Sequence, residues 1–373
     1  MRRVVLLLAA VSALLLLPAC KDRLNLEDTT LVLMMGMDLD KDNRLVIYSS
    51  SPVFSKEAKQ SNEVTQVNAL TLRDSRGLLD SRVSALISTG KLQNILVGKK
   101  LLQQPDWVHL LDVVYRDSKT RNNARLVAVD GSVGDIMYFA PPDKRRLSLH
   151  IAKLLDTTNK RNLVEATTLW ELHRLLYERG RTPDMGIIRK TEREVVVDKT
   201  ALLNHGGLYV GSIDTFETTM LQIVQDDKKS SLSVTLVLPE KQKPGTAINT
   251  GAVSFYVLDV DRKVRTSFAG GKFRFDIELE LPIRLTERLF AFDVGDNAAG
   301  LQDQIDEQLK NKMDALVAKL QRYQLDPIGL GLFARAYRYR EWKKVQDRWG
   351  EAFGQAEVSL RVRTRIVDMG EVR

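Results

Sequence analysis

Cysteine is almost missing from this chain: Cys20 is the only one in 373 residues. A disulfide framework and any multi-cysteine zinc site are therefore excluded. Histidine is sparse as well. His109, His150, His173 and His205 stand at neither helical nor hairpin spacing from one another, so they predict no metal cluster. Long apolar runs are limited to one, Val4 to Leu17, and nothing after Cys20 approaches the ~18 consecutive apolar residues of a spanning helix. Signatures of catalysis are lacking too, with no G-x-S-x-G elbow and no H-E-x-x-H pair. Asp130-Gly-Ser-Val-Gly134 and Gly206-Gly207 have neither a P-loop ending nor G-x-G-x-x-G spacing, so they read as turns. Asp226-Asp227 is an adjacency expected by chance among 48 acidic residues, not a glycosidase pair. No catalytic residue, no cofactor and no metal is expected, and the chain does not read as an enzyme.

What is present begins with an export signal. Met1-Arg2-Arg3 is a short basic region, Val4 to Leu17 an apolar core, and Leu17-Pro18-Ala19 leads with a small residue into Cys20. This pattern resembles a bacterial lipoprotein signal, although Pro18 departs from the usual small or branched residue. The resemblance implies cleavage after residue 19, a diacylglycerol thioether on Cys20 and N-acylation of the same residue. Two acyl chains at ~0.8 kcal/mol per buried methylene anchor a protein without a spanning helix. Loss of Arg2 and Arg3 lowers the formal charge from +8 to +6. That surplus fits either attraction to anionic lipid or an ordinary solvated surface. An exported chain without nucleic-acid-binding motifs is not expected to bind nucleic acid.

At about 150 residues per domain, the length predicts two or three domains, and 44% apolar with 28% charged residues predicts folded ones. Leu31 to Met35 and Arg44 to Tyr48 read as strands joined by the turn Asp40-Lys-Asp-Asn43, and residues 55–68 read as a polar loop. A helix is expected over Leu72 to Ser88, a strand at Asn94 to Gly98, a helix through Trp107 and Val114, and a strand at Arg125 to Val129. Helical stripes through Leu147–Leu155 and Ala166–Tyr177 precede a single strand at Ile187 to Asp198, and Asn204-His-Gly-Gly207 marks a break. Beyond it Ser231–Leu238, Ala252–Val260 and Lys272–Leu281 read as strands of an antiparallel sheet. A long helix then carries Leu301, Ile305, Leu309, Met313, Leu316 and Leu320 on one stripe. A further helical stretch holds Trp342 and Trp349, and an alternating strand ends the chain. The fold class is α+β (mixed α/β) and multi-domain, an N-terminal α/β part followed by an antiparallel sheet with helices on one face. The divisions are a signal peptide at 1–19, an N-terminal domain at 20–203, with 140–203 as a possible separate unit, and a C-terminal domain at 204–373.

Three stretches resemble the Ger(x)C family, the C subunits of bacterial spore germinant receptors. The first is Leu17-Pro-Ala-Cys-Lys-Asp-Arg-Leu-Asn25, running toward Gly36 and Asp38, with Lys21 where the family usually has Trp and Leu24 where an acidic residue is common. The second is Gly90-Lys91, Ile95-Leu-Val-Gly98-Lys99, Leu111-Asp112 and Arg116-Asp117. The third runs Asp326-Pro-Ile-Gly-Leu-Gly331, Tyr337, Trp342, Trp349 and Phe353, then on to Gly370. The resemblance implies a non-catalytic lipoprotein on the outer face of the spore inner membrane, assembled with an A-type and a permease-like B-type subunit. It leaves direct germinant binding open. The alternative is a solute-binding lipoprotein of a transporter, which would show two similar α/β lobes around a cleft. Gly329 and Gly331 are expected to allow a tight turn between helices, with Trp342 anchoring the second helix on the sheet.

Overall fold

The computed structural model describes residues 2–3, 29–54, 60–141, 144, 146–243, 245, 247–290 and 294–368. Cys20 and most of the signal segment lie outside the described residues.

In chain order the first part carries β1 (Thr29–Leu31), β2 (Met34–Leu39), β3 (Leu45–Pro52), β4 (Asn62–Asn68), α1 (Leu72–Asp80), β5 (Leu86–Ser88), β6 (Asn94–Gly98) and α2 (Lys99–Leu102). It continues with α3 (Asp112–Arg116), β7 (Arg125–Val129), α4 (Val133–Met137), α5 (Leu147–Lys160), α6 (Leu169–Tyr177), β8 (Asp184–Lys190), β9 (Val195–Leu203) and β10 (Tyr209–Asp214). Eight strands make one sheet in the order β10-β9-β8-β7-β6-β2-β3-β4. Its middle is parallel, β2-β6-β7-β8, and antiparallel hairpins extend it on both sides. Parallel strands must be covered on both faces, and the two-residue period divides their side chains accordingly. Met35, Met37, Ile95, Val97, Leu126 and Ala128 pack under α1, α3 and α6, while Met34, Leu96, Val127 and Val129 pack under α4 and α5.

The second part holds α7 (Thr215–Gln225), β11 (Leu232–Val237), β12 (Ala252–Val257), β13 (Asp261–Ala269), β14 (Lys272–Arg288), α8 (Val294–Tyr323), α9 (Leu330–Tyr337), α10 (Tyr339–Val345), α11 (Trp349–Gly354) and β15 (Glu357–Asp368). The central β14 buries Phe273, Phe275, Ile277, Leu279, Leu281, Ile283 and Leu285 and exposes the alternate side. Its fully buried stripe meets that of α8, in which Leu301, Ile305, Leu309, Met313, Leu316 and Leu320 are all covered. Each such side chain contributes about 2 kcal/mol of burial.

Several expectations give way to tertiary pairing. The final strand β15 runs parallel to β14, so the C-terminal sheet is not wholly antiparallel; the helices between the two strands carry the chain back to the starting end. The helix from Leu72 stops at Asp80, because Leu86–Ser88 is taken up as β5 alongside β1. Residues 62–68 of the expected polar loop are an edge strand that buries only Val67, which left no alternation to read. The single strand at 187–198 is a hairpin turned at Thr191–Glu194. Polar β13 carries no strong apolar signal, yet it pairs along β14. The C-terminal helical stretch is three short helices. Asn204–Gly207 is a turn inside the sheet: its Asn204 Oδ1 accepts from Gly206 and Leu208, Gly207 has φ +79°, and β10 pairs with β9 across it. Residues 147–203 supply α5, α6, β8 and β9 to the same eight-stranded assembly.

Candidate functional site

The residues of the third sequence motif come together where the two parts of the chain meet. Asp326 lies in the loop between α8 and α9 and is fully buried. Its Oδ1 accepts from Gly329 N at 2.8 Å, and its Oδ2 accepts from Gly331 N at 2.8 Å and from the Trp349 indole N–H at 2.8 Å. Gly329 has φ +84°, a conformation open to glycine, and this turn delivers the N–H groups at the start of α9 to the carboxylate. Burial pushes the Asp326 carboxyl above its ordinary range, opposed by these donors. The carbonyl of the same residue accepts from Thr182 N at 2.9 Å, in the segment leading into β8. One residue thus fastens α9, α11 and the N-terminal part.

Around it the contact is close enough to exclude side chains. A Cβ on Gly331 would lie 2.7 Å from Gly180 Cα, Gly180 O and Trp349 Nε1, and a Cβ on Gly180 would lie 2.8 Å from the Gly331 carbonyl carbon. Arg335 makes a two-pronged pair with Glu178 at 2.8 and 3.2 Å, and Arg179 meets Asp347 at 3.0 Å. Trp349, not Trp342, is the main anchor on the sheet, edge-on to Phe273 and Phe275 and fully buried. Trp342 is also buried, under the Arg335 guanidinium. Tyr337 is exposed, Phe353 is core, and Gly370 lies outside the described residues.

The helix α7 completes the junction. Met220, Leu221, Ile223 and Val224 enter the C-terminal core together with Leu202 of β9 and Ile213 of β10. Its polar side chains turn to the first part: Thr219 Oγ1 donates to Asn162 O, and Gln222 Nε2 donates to Glu165 Oε1 at 2.8 Å. Gln225 Nε2 donates to Pro327 O at 2.9 Å. A helix buried on every side needs its polar groups satisfied in this way.

Beside this seam lie two buried acids that composition could not single out, Glu165 and Asp184. Burial, reinforced by the Glu165 charge and opposed by Arg181, pushes Asp184 up to about 7, and burial raises Glu165 as well. Asp184 Oδ2 has no hydrogen-bond partner among the described residues. The folded chain therefore holds a proton on Asp184 more tightly than the unfolded chain, so charging it costs stability as pH rises from about 4 to about 7. Asp184→Asn is expected to raise stability at pH 8 by about 1–3 kcal/mol, with the gain shrinking toward pH 4. Denaturant unfolding at the two pH values measures this, and an equal effect at both would refute it.

Many α/β folds bind ligands at the carboxyl ends of parallel strands. Here that end holds a carboxylate of the chain itself. Asp38 Oδ2 accepts from Val133 N at 2.9 Å at the start of α4, and Oδ1 accepts from Leu39 N at 2.9 Å. Gly98 makes room for it, since a Cβ there would stand 2.1 Å from Asp38 Oδ1. Asp130–Gly134 is thus a turn capped by Ser132, whose Oγ accepts from Asp135 N. Lys99 pairs with Asp130 at 3.5 Å, and Asp112 pairs with Arg116 at 2.7 Å. His109 is exposed, His173 packs among Tyr115, Trp170 and Tyr177, and His205 is part-buried with its pKa lowered by burial. Among the described residues no three metal-ligand side chains converge. The Glu165–Asp184 pair carried no spacing signal in the sequence, and Asp38 entered only as the end of the first motif. Asp326 carried one, through the glycines that follow it.

Two unlike units, one built on a sheet with a parallel middle and one on a mostly antiparallel sheet under helices, joined through a buried carboxylate, define a two-domain α+β protein. Comparison with known proteins gives the class its family. Residues 22–190 match the spore germination protein N-terminal domain, and residues 198–370 match the spore germination B3/GerAC-like C-terminal domain. The chain belongs to the Ger(x)C family of spore germination proteins. It is 23% identical over 372 residues to spore germination protein A3 of Bacillus subtilis (strain 168), covering 95% of both chains. It is 21% identical over 292 residues to spore germination protein B3 of the same organism, covering 75% of this chain and 74% of that one. The crystal structure of the GerBC protein shares the fold, with TM-score 0.56 and 17% identity over 89% of this chain and 96% of that chain. Among the described residues no helix is long and apolar enough to cross a membrane.

Proposed function

We propose that this chain is the lipid-anchored C subunit of a nutrient germinant receptor. It is held on the outer face of the spore inner membrane through Cys20, carrying a diacylglycerol thioether and an N-acyl chain. It assembles there with the membrane-embedded A-type and permease-like B-type subunits, and it acts without catalysis. The observation that carries this reading is the joint one: both domain families match in order behind a signal whose cysteine is the only one in the chain. The locked junction supports it, since a subunit that works through protein contacts needs a fixed relation between its two surfaces. The experiment is deletion of the gene followed by nutrient-triggered release of dipicolinate from spores. Loss of response to at least one nutrient is expected, and complementation restores it. Unchanged response to every nutrient, in a strain lacking paralogous receptors, would sink the reading. Cys20→Ala is expected to remove most of the protein from the membrane fraction of spores; undiminished fractionation with membranes would refute the anchor.

A further inference from the structure

Eight residues separate Cys20 from Thr29, where β1 begins. A chain of that length spans about 30 Å at most. Given the lipid attachment proposed above, on which this inference rests, the β1 corner is held close to the bilayer. The corner is built from three connected pieces. Thr29 pairs with Leu86 in the β1–β5 ladder. Thr89 Oγ1 lies 2.7 Å from Thr120 Oγ1, which ties the loop after α3 to the end of β5. Trp170 N, at the start of α6, donates to Asn122 O of that loop at 3.0 Å.

The side chains exposed along this edge are of the kind that partition to a lipid interface. Leu86 is 55% exposed and Trp170 60% exposed, the latter stacked on His173. Around them Lys91, Lys119 and Arg121 are exposed, and Lys91 and Arg121 make no ion pair among the described residues. The nearby carboxylates are engaged: Asp117 with Arg76, and Asp156 with Arg125. An exposed indole and an exposed leucine on these connected pieces, with Lys91 and Arg121 in no ion pair among the described residues, suit the headgroup layer of an anionic bilayer.

We propose that this edge, with Leu86, Lys91, Lys119, Arg121 and Trp170, docks on the surface of an anionic lipid bilayer and orients the tethered protein. The tether confines the chain; the edge selects which side faces the lipid.

Trp170 makes this testable in the full lipidated protein, because Trp107, Trp342 and Trp349 are all buried. The protein is reconstituted on vesicles of phosphatidylcholine and phosphatidylglycerol, a fraction of whose chains are brominated near the glycerol. Flotation reports the anchor, and quenching of tryptophan emission reports the edge. Quenching is expected, and Trp170→Phe removes it. Replacing phosphatidylglycerol by phosphatidylcholine, or making Lys91→Glu with Arg121→Glu, lowers the docked population at least ~20-fold, at roughly fivefold for each basic group lost. Flotation without quenching overturns the docking edge and leaves the anchor standing. Quenching that survives Trp170→Phe overturns it too. Failure to float overturns the anchor and this placement with it. Shielding of Trp170 only in the presence of the other receptor subunits, and never by lipid, makes the edge a protein interface and refutes the proposal.

Discussion

Asp326→Ala is expected to destabilise the protein by about 3–5 kcal/mol. The substitution strands the Gly329 and Gly331 N–H groups and the Trp349 indole N–H in a fully buried place, and each unsatisfied donor costs about 1–3 kcal/mol. The costs do not sum freely, since α9 can shift once the carboxylate is gone. Asp326→Asn is the sharper test. Oδ2 receives two donors, so an amide nitrogen at that position would face N–H groups, and at Oδ1 it would face the N–H of Gly329. In either rotamer the amide loses an acceptor where one is needed, so Asn rescues little of the loss. Urea unfolding measures both variants. A change below about 0.5 kcal/mol, the range of ordinary surface substitutions, would show that the carboxylate is not what holds the junction. In spores the expected consequence is low abundance of the subunit, with a weakened nutrient response that follows abundance.

The same residue is among those whose role is legible in the sequence. Asp326-Pro-Ile-Gly-Leu-Gly331 announced a turn after a long helix, because Pro327 cannot continue one and glycine relieves the next steps. The stripe from Leu301 to Leu320 and the alternation along Phe273–Leu281 gave the C-terminal layers nearly residue by residue, since long amphipathic elements repeat one signal many times. The elements that escaped are those whose identity is set by a neighbour. β5 is three residues long and exists through pairing with β1, and β4 and β13 are polar edge strands defined by the strands they lie against. The helix α7 was legible in principle: Asp214 and Glu217 form a reciprocal cap, each side chain accepting from the other's backbone N–H. Its role was not, because a helix shared by two cores shows no single apolar stripe. Asp184 and Glu165 could not be picked out of 48 acids, as nothing local to either distinguishes burial from exposure.

Gly331→Ala is expected to separate the unfolding of the two parts of the chain. The added methyl would stand 2.7 Å from the Gly180 Cα and carbonyl oxygen, and backbone cannot rotate away as a long side chain can. Overpacking of this kind costs about 1–3 kcal/mol. Relief requires α9 to move off the segment before β8, which stretches the Thr182–Asp326 and Arg335–Glu178 bonds. Those bonds couple the two cores, so their loss replaces one cooperative thermal transition by two. Gly180→Ala meets the same wall from the other side, and the double variant is expected to cost less than the sum of the singles, because one displacement relieves both clashes. Gly77→Ala supplies the contrast: it lies on the exposed face of α1 with no atom of a neighbouring element within 4 Å of the new methyl, and it is expected to stabilise by about 0.5–1 kcal/mol. Calorimetry distinguishes these outcomes. A single transition for Gly331→Ala, shifted no more than that of Gly77→Ala, would mean that the backbone contact between Gly180 and Gly331 does not join the domains.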